Sequence, residues 1–123
     1  KYKKPNDLEG WKFLARTCLI IGYNQKASLN YTKALGFFPK NEDILYEYAI
    51  LKKKSNQVKG AFKLLNKIDL SQTNNPNVAS FFFELLKETR NYSILKEKII
   101  NFNENKKIDK KTKEKLIGKF ESN

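Results

Sequence analysis

A periodic set of small and apolar residues constrains this chain more than any other feature of it. From Trp11 the order runs Trp11, Leu14, Ala15 and Cys18, then Ala27, Tyr31 and Ala34, closed by Pro39. A step of about 34 residues carries Trp11 onto Leu45, Ala15 onto Ala49, Ala27 onto Ala61, Tyr31 onto Leu65 and Ala34 onto Ile68. A second step reaches Ala79, Phe83, Leu95, Ile99 and Phe102. Lys52, in the Cys18 column, breaks an otherwise apolar or small set. A unit recurring at this length cannot bury its apolar side alone, so copies must stack.

The spacing inside each unit is helical. Trp11, Leu14, Ala15 and Cys18 follow i, i+3, i+4, i+7, which is one buried face. Asp7 is a good N-cap for a first helix over about 8–21, and Gly22-Tyr23-Asn24 makes the turn, with Gly22 supplying a permissive backbone. A second helix covers about 25–37, and Pro39 cannot continue it. The same reading places helices over 42–54, 57–70 and 76–88. It starts the third of these at Asn75-Pro76, with Asn as cap and Pro at the first helical position. Asn91 can cap a further helix to about 102, and a charged last helix over 109–121 turns Leu116, Ile117 and Phe120 to one side.

The order Trp, Leu, small residue, Ala, aromatic, Pro resembles the tetratricopeptide (TPR) pattern. That resemblance implies an all-α, TPR-like α-solenoid of three antiparallel helix pairs plus a C-terminal capping helix. The repeats would be about 8–41, 42–75 and 76–108, the cap about 109–121, and the whole domain 7–123 behind a linker at 1–6. Three repeats is about the minimum for such a stack, and a terminal helix with one polar face suits its end.

Composition narrows the chemistry. At 123 residues the chain suits one small domain. It has no apolar run of about 18 residues to span a membrane, and its opening Lys1-Tyr2-Lys3-Lys4 is not followed by a signal-peptide core. The opening reads as the linker of an excised domain whose targeting segment lies upstream. One cysteine and no histidine exclude an internal disulfide, His ligation of zinc or haem, and His-dependent nucleophilic triads. Glu42-Asp43 sit at a helix start and fit capping and dipole effects. No Gly-rich phosphate loop is present. The reading is therefore a non-enzyme with no metal and no cofactor. The net charge of +12, nearly all lysine, fits either an acidic partner or an AT-rich genome, and the lysines are spread along the chain rather than blocked.

TPR stacks carry ligands on their leading helices, at the second, fifth, sixth, ninth, twelfth and thirteenth places of each repeat. Transferred by that resemblance, the peptide-binding residues are Lys12, Phe13, Arg16, Leu19 and Ile20, then Tyr46, Glu47, Ile50, Lys53 and Lys54, then Phe81, Glu84 and Lys87, flanked by Glu9, Asp43, Asn77, Ser80 and Glu88. Their mixed charge and apolar patches suit an amphipathic helix or an extended tail. Phe13 and Phe81 could equally pack against the next repeat, and Lys53 and Lys54 could simply form a solvated face. Arg16 is the charge best placed for a forked contact with a client carboxylate. Cys18, Trp11 and Tyr31 read as core.

Two stretches narrow the resemblance: Asn6-Asp7-Leu8-Glu9-Gly10-Trp11-Lys12-Phe13-Leu14-Ala15-Arg16 with Ala27, Tyr31, Ala34 and Leu35, and Asn41-Glu42-Asp43-Ile44-Leu45-Tyr46-Glu47-Tyr48-Ala49. They resemble the periplasmic TPR domain of the bacterial cytochrome c maturation family CcmI, also found fused as the C-terminal part of CcmH. Asn75-Pro76 and Arg90-Asn91-Tyr92 follow its third repeat, so the likeness covers roughly residues 5 to 102. Phe83 replaces a usual small residue, and the tip glycines of the second and third repeats are replaced by Ser55 and Arg90. The resemblance implies a periplasmic chaperone, tethered to the inner membrane by an upstream segment. Its partners would be the C-terminal segment of apocytochrome c and components of the haem ligation complex, the haem belonging to the client. Two other readings stand beside it: a generic TPR scaffold for another protein client, and a basic nucleic-acid-binding domain driven by net charge. Protein rather than nucleic acid is the expected partner.

Overall fold

The computed structural model describes residues 7–121, and the linker reading of 1–6 lies outside the described residues. The described residues form seven helices and no strand: α1 (Leu8–Ile20), α2 (Asn24–Phe37), α3 (Glu42–Lys54), α4 (Val58–Leu65), α5 (Pro76–Glu88), α6 (Tyr92–Asn103) and α7 (Lys110–Glu121). The fold class is all-α. None of these helices is long and apolar enough to cross a membrane. The chain divides between Ile68 and Asp69 into two compact units.

Helix starts recur in step. The side chains of Asp7, Asn41 and Asn75 each accept a backbone N–H at the start of α1, α3 and α5, and these three helices are each 13 residues long. Asp109, one step further, accepts the Thr112 N–H at 3.0 Å as α7 begins. Helix ends recur as well. After α1 the Tyr23 N–H reaches back to the Cys18 carbonyl and the Gly22 N–H to Leu19; Gln57 and Asn56 do the same after α3, and Asn91 and Arg90 after α5. This turn needs a left-handed residue, supplied by Gly22 (φ 85°), Asn56 (φ 60°) and Arg90 (φ 60°). The tip position of the second repeat is therefore Asn56, not Ser55. Ser55 is the preceding residue, where φ is −92°.

In the first unit α1 pairs with α2, α3 with α4, and α2 packs on α3. Ala15, Ala27, Ala34, Ala49 and Ala61 are fully buried, and their small size lets backbones approach closely. Tyr31 is fully buried and stacks on Tyr48 at 5.5 Å; Trp11 stacks on Phe37 at 6.1 Å. Cys18 is a buried free thiol. Lys52, the exception in its column, keeps its place by snorkelling. A Cβ at Gly60 would lie 3.1 Å from Lys52 Cδ, so the lysine stem covers bare α4 backbone, and its ammonium sits 5.1 Å from the Tyr48 ring centroid.

One helix is shorter than its apolar pattern predicts. α4 stops at Leu65 rather than 70. Its last bonds tighten, Lys67 N–H to Leu64 and Ile68 N–H to Leu65, and the Asp69 carboxylate then captures both the N–H and the hydroxyl of Ser71. A side chain that offers the backbone its own partner competes with the helix. Ile68 and Leu70 are still buried, 5% and 1% exposed, but from a turn.

In the second unit Phe83 is fully buried, edge-on to Phe102 at 5.8 Å and to Phe120 of α7 at 5.5 Å. The large side chain where a small one is usual thus ties α5 to α6 and to the last helix. Asn91, expected to cap α6, makes no side-chain cap bond; its amide donates to Thr89 instead. Asn105, which follows α6, is fully buried. Its amide donates to the Leu70 and Thr73 carbonyls at 2.9 and 2.8 Å, and its oxygen accepts the N–H groups of Lys107 and Ile108. Lys113 closes the end of α6 by donating to the Asn103 and Asn105 carbonyls, a cation at a helix C-terminus.

Substitutions at the recurring turn should separate the repeats. Gly22→Ala should lower stability by about 1 kcal/mol, while Arg90→Gly should raise it by roughly 0.5 kcal/mol, because only the first adds left-handed strain. Urea midpoints would check both, and a destabilised Arg90→Gly variant would contradict the turn assignment. Asn105→Leu strands two carbonyls and two N–H groups in the interior, and should cost about 3 kcal/mol in the same measurement.

Candidate functional site

The residues expected to contact a client lie on α1, α3 and α5. In the first unit the structure brings α1 and α3 together through charge. Lys12 and Arg16 lie one turn apart on α1, and Asp43 and Glu47 one turn apart on α3, so each cation meets a carboxylate at the same register. The Lys12 ammonium lies 3.0 Å from Asp43 and 3.2 Å from Glu9. Arg16 places Nε 3.1 Å from both oxygens of Glu47, with Nη2 on Oε2 as well. The Tyr31 hydroxyl, from the core of α2, donates to the same Glu47 carboxylate at 2.9 Å. One carboxylate thus joins three helices.

Lys12 and Arg16 therefore act differently from what the sequence suggests. Lys12, read as groove-lining, is 7% exposed; its stem is buried and its charge is engaged within the unit. The fork that Arg16 was expected to offer a client is already on Glu47. Four long side chains are held in one geometry, and Glu47 accepts from three donor atoms on two residues, which favours order over adaptability.

The remaining candidates differ in exposure. Phe13 stands 69% exposed beside this network. Leu19, Tyr46, Ile50 and Lys53 are half-buried, and Lys54 is exposed. Ile20, the last residue of α1, is 84% exposed and lies at the turn. In the second unit Phe81 is half-buried, while Glu84 and Lys87 are exposed on α5, with the Lys87 ammonium 5.9 Å from the Phe120 ring centroid.

Three partners were not anticipated: the Tyr31 hydroxyl as a donor to Glu47, and Ser28 and Thr32 as partners of the Tyr48 hydroxyl at 2.7 and 3.0 Å. The ion pairs had a visible signal in the matched spacing of opposite charges on successive leading helices. The hydroxyl contacts had none, because both tyrosines occupy apolar columns.

The protonation equilibria follow from these contacts. Burial, then the Glu47 charge and hydrogen bond, push the Tyr31 phenol well above its usual value. The Lys12 ammonium loses some stability to desolvation, but the hydrogen bonds to Asp43 and Glu9 outweigh it and its pKa is raised. For Arg16 the Glu47 hydrogen bond dominates and the shift is also upward. Raised folded-state values contribute stability that is fully present below the unfolded pKa and is lost as pH rises. The fold should therefore weaken above pH about 10, where unfolded tyrosine and lysine titrate. Tyr31→Phe should cost about 1 kcal/mol at pH 7 and make the fall between pH 9 and 11 shallower; thermal unfolding at those pH values would check it.

Among protein-family models, curated proteins and solved structures, nothing matches this chain.

Proposed function

We propose that this chain is a non-catalytic, TPR-like protein-binding module whose leading helices hold a peptide segment of another protein. The 34-residue recurrence of helix starts and left-handed turns supports the TPR-like reading. The observation that carries the binding reading is Phe13, a large apolar side chain standing exposed on the α1 face beside the ordered Arg16–Glu47 pair. Tyr46 and Ile50 of α3 are half-buried, leaving partial apolar surface on the adjoining helix. An amphipathic helix could cover these side chains while its polar groups meet Glu9, Asp43 and the outer edge of Arg16. The specific client, the C-terminal segment of apocytochrome c, rests on the sequence resemblance alone, as does a periplasmic site tethered to a membrane.

Titration of the chain with apocytochrome c C-terminal peptides, and with unrelated amphipathic helices as control, tests both levels. Selective binding of the former supports the maturation role; comparable binding of both supports a general adaptor. The variant to use is Phe13→Ala rather than Arg16→Glu. The latter would set two carboxylates together where the ion pair now lies and weaken the unit itself. Phe13→Ala should leave stability within about 0.5 kcal/mol yet weaken the peptide at least roughly tenfold. Unchanged affinity would remove the α1–α3 face from consideration.

A further inference from the structure

The first unit segregates its carboxylates along the hairpins, while its lysines lie at both ends. Its described carboxylates, Asp7, Glu9, Glu42, Asp43 and Glu47, all lie at the starts or in the first half of α1 and α3. The other end carries the two hairpin turns. The matched registers of Lys12 with Asp43 and Arg16 with Glu47 make α1 and α3 run the same way, so both turns lie at one end. Asn24 and Gln25 after the first turn line one cleft with Ser55 and Gln57 of the second. Lys26, Lys52, Lys53, Lys54 and Lys59 belong to this end, and the segments 18–26 and 50–60 contain no carboxylate.

The same end holds uncovered apolar surface. Ile20, Ile21 and Tyr23 are 84%, 56% and 54% exposed, three large apolar side chains within four residues. Lys26 lies over the Tyr23 ring at 5.5 Å. Lysines closing α3 are favoured by the helix dipole alone. The dipole does not account for two neighbouring isoleucines projecting from a helix end into water, next to a lysine-rich turn.

We propose that this end of the first unit docks on the surface of an anionic phospholipid bilayer. Ile20 and Ile21 enter the boundary between headgroups and acyl chains, Tyr23 sits at headgroup level, and the exposed Lys26, Lys54 and Lys59 meet lipid phosphates. Their long stems suit this, since they can lie along apolar surface while the ammonium stays at the interface. A bilayer fits better than a nucleic acid. Isoleucines offer nothing to a phosphate backbone and no face for a base to stack on, whereas exposed isoleucines beside a lysine-rich turn match an interface that is apolar below and negative above. The proposal is independent of the peptide-holding role, which uses Phe13 and the middle of α1 and α3.

The test is co-sedimentation of the full 123-residue chain with vesicles, equimolar phosphatidylglycerol and phosphatidylcholine against pure phosphatidylcholine, at low and high salt. Binding to the anionic vesicles should be at least about tenfold tighter than to the neutral ones, and weaker in high salt. Ile20→Ser with Ile21→Ser should weaken it roughly tenfold, and Lys54→Glu with Lys59→Glu by a similar factor. Ile94→Ser, an exposed position on α6 in the second unit, should have no effect. As a readout that keeps an apolar residue in place, Ile21→Trp should shift its emission to the blue on anionic vesicles. Absence of binding overturns the proposal. So does binding that ignores the isoleucine changes and leaves the Ile21→Trp emission unmoved, or binding that duplex DNA displaces with the same insensitivity to Ile20 and Ile21; each would reduce the surface to unspecific charge.

Discussion

A short side-chain oxygen reaching the free N–H groups of a nascent helix is the contact on which the rest of this structure depends. Asp7, Asn41, Asn75 and Asp109 make it at equal intervals, and it fixes where α1, α3, α5 and α7 begin. A second local device, a left-handed residue with two backward hydrogen bonds, fixes where α1, α3 and α5 stop. With both ends fixed, the apolar columns arrive in register without any tertiary adjustment. Helices of equal length present Ala15, Ala49 and Phe83 at equivalent places, and all three are fully buried. That the turn tolerates Gly, Asn and even Arg at its left-handed position shows how strongly the flanking helices determine it.

Register in turn creates the electrostatics of the first unit. Two cations one turn apart and two carboxylates one turn apart can pair only if the helices run the same way at a fixed offset. The Lys12–Asp43 and Arg16–Glu47 pairs record that offset. An ion pair as exposed as Arg16–Glu47, in which Arg16 keeps half of its side-chain surface, adds little stability by itself. Its effect here is on specificity, because Glu47 also accepts the buried Tyr31 hydroxyl and so couples the surface pair to the core. A face that would otherwise offer loose charges to any partner is held as one ordered patch, with Phe13 left as its apolar protrusion.

The second unit uses different means. Phe83 meets both Phe102 and Phe120 edge to face and fastens the last helix, while Asn105 occupies a buried corner with all four of its hydrogen bonds made. A buried carboxamide so fully satisfied is a specifying contact: it holds the chain after α6 against the loop before α5, where an apolar residue would leave backbone groups stranded. Lys113 adds a cation at the end of α6. Around this corner the sequence looks like a break in the repeat, yet every polar atom of the Asn105 side chain is bonded there.

The residues alone determined the helical class, the helix starts, the turn positions and most of the core, though not Ile44, Leu51, Val78, Phe82, Leu85, Leu86 or Ile108, which lie between the stepped columns or outside them. Trp11, Tyr31, Cys18 and every apolar residue in the stepped columns are buried as the periodicity requires. These features follow from interactions a few residues long, or from a period that any helix imposes on its faces. The early end of α4 was readable in principle, since Asp69 and Ser71 form a local turn, but an apolar run outweighed it in the pattern. What the tertiary structure decided was partnership: that Arg16 spends its fork on Glu47, that Tyr31 adds a donor there, that Lys52 shelters over Gly60, and that Ile20, Ile21 and Tyr23 remain uncovered. Such choices depend on distances between separate helices, and no local rule of the chain contains them.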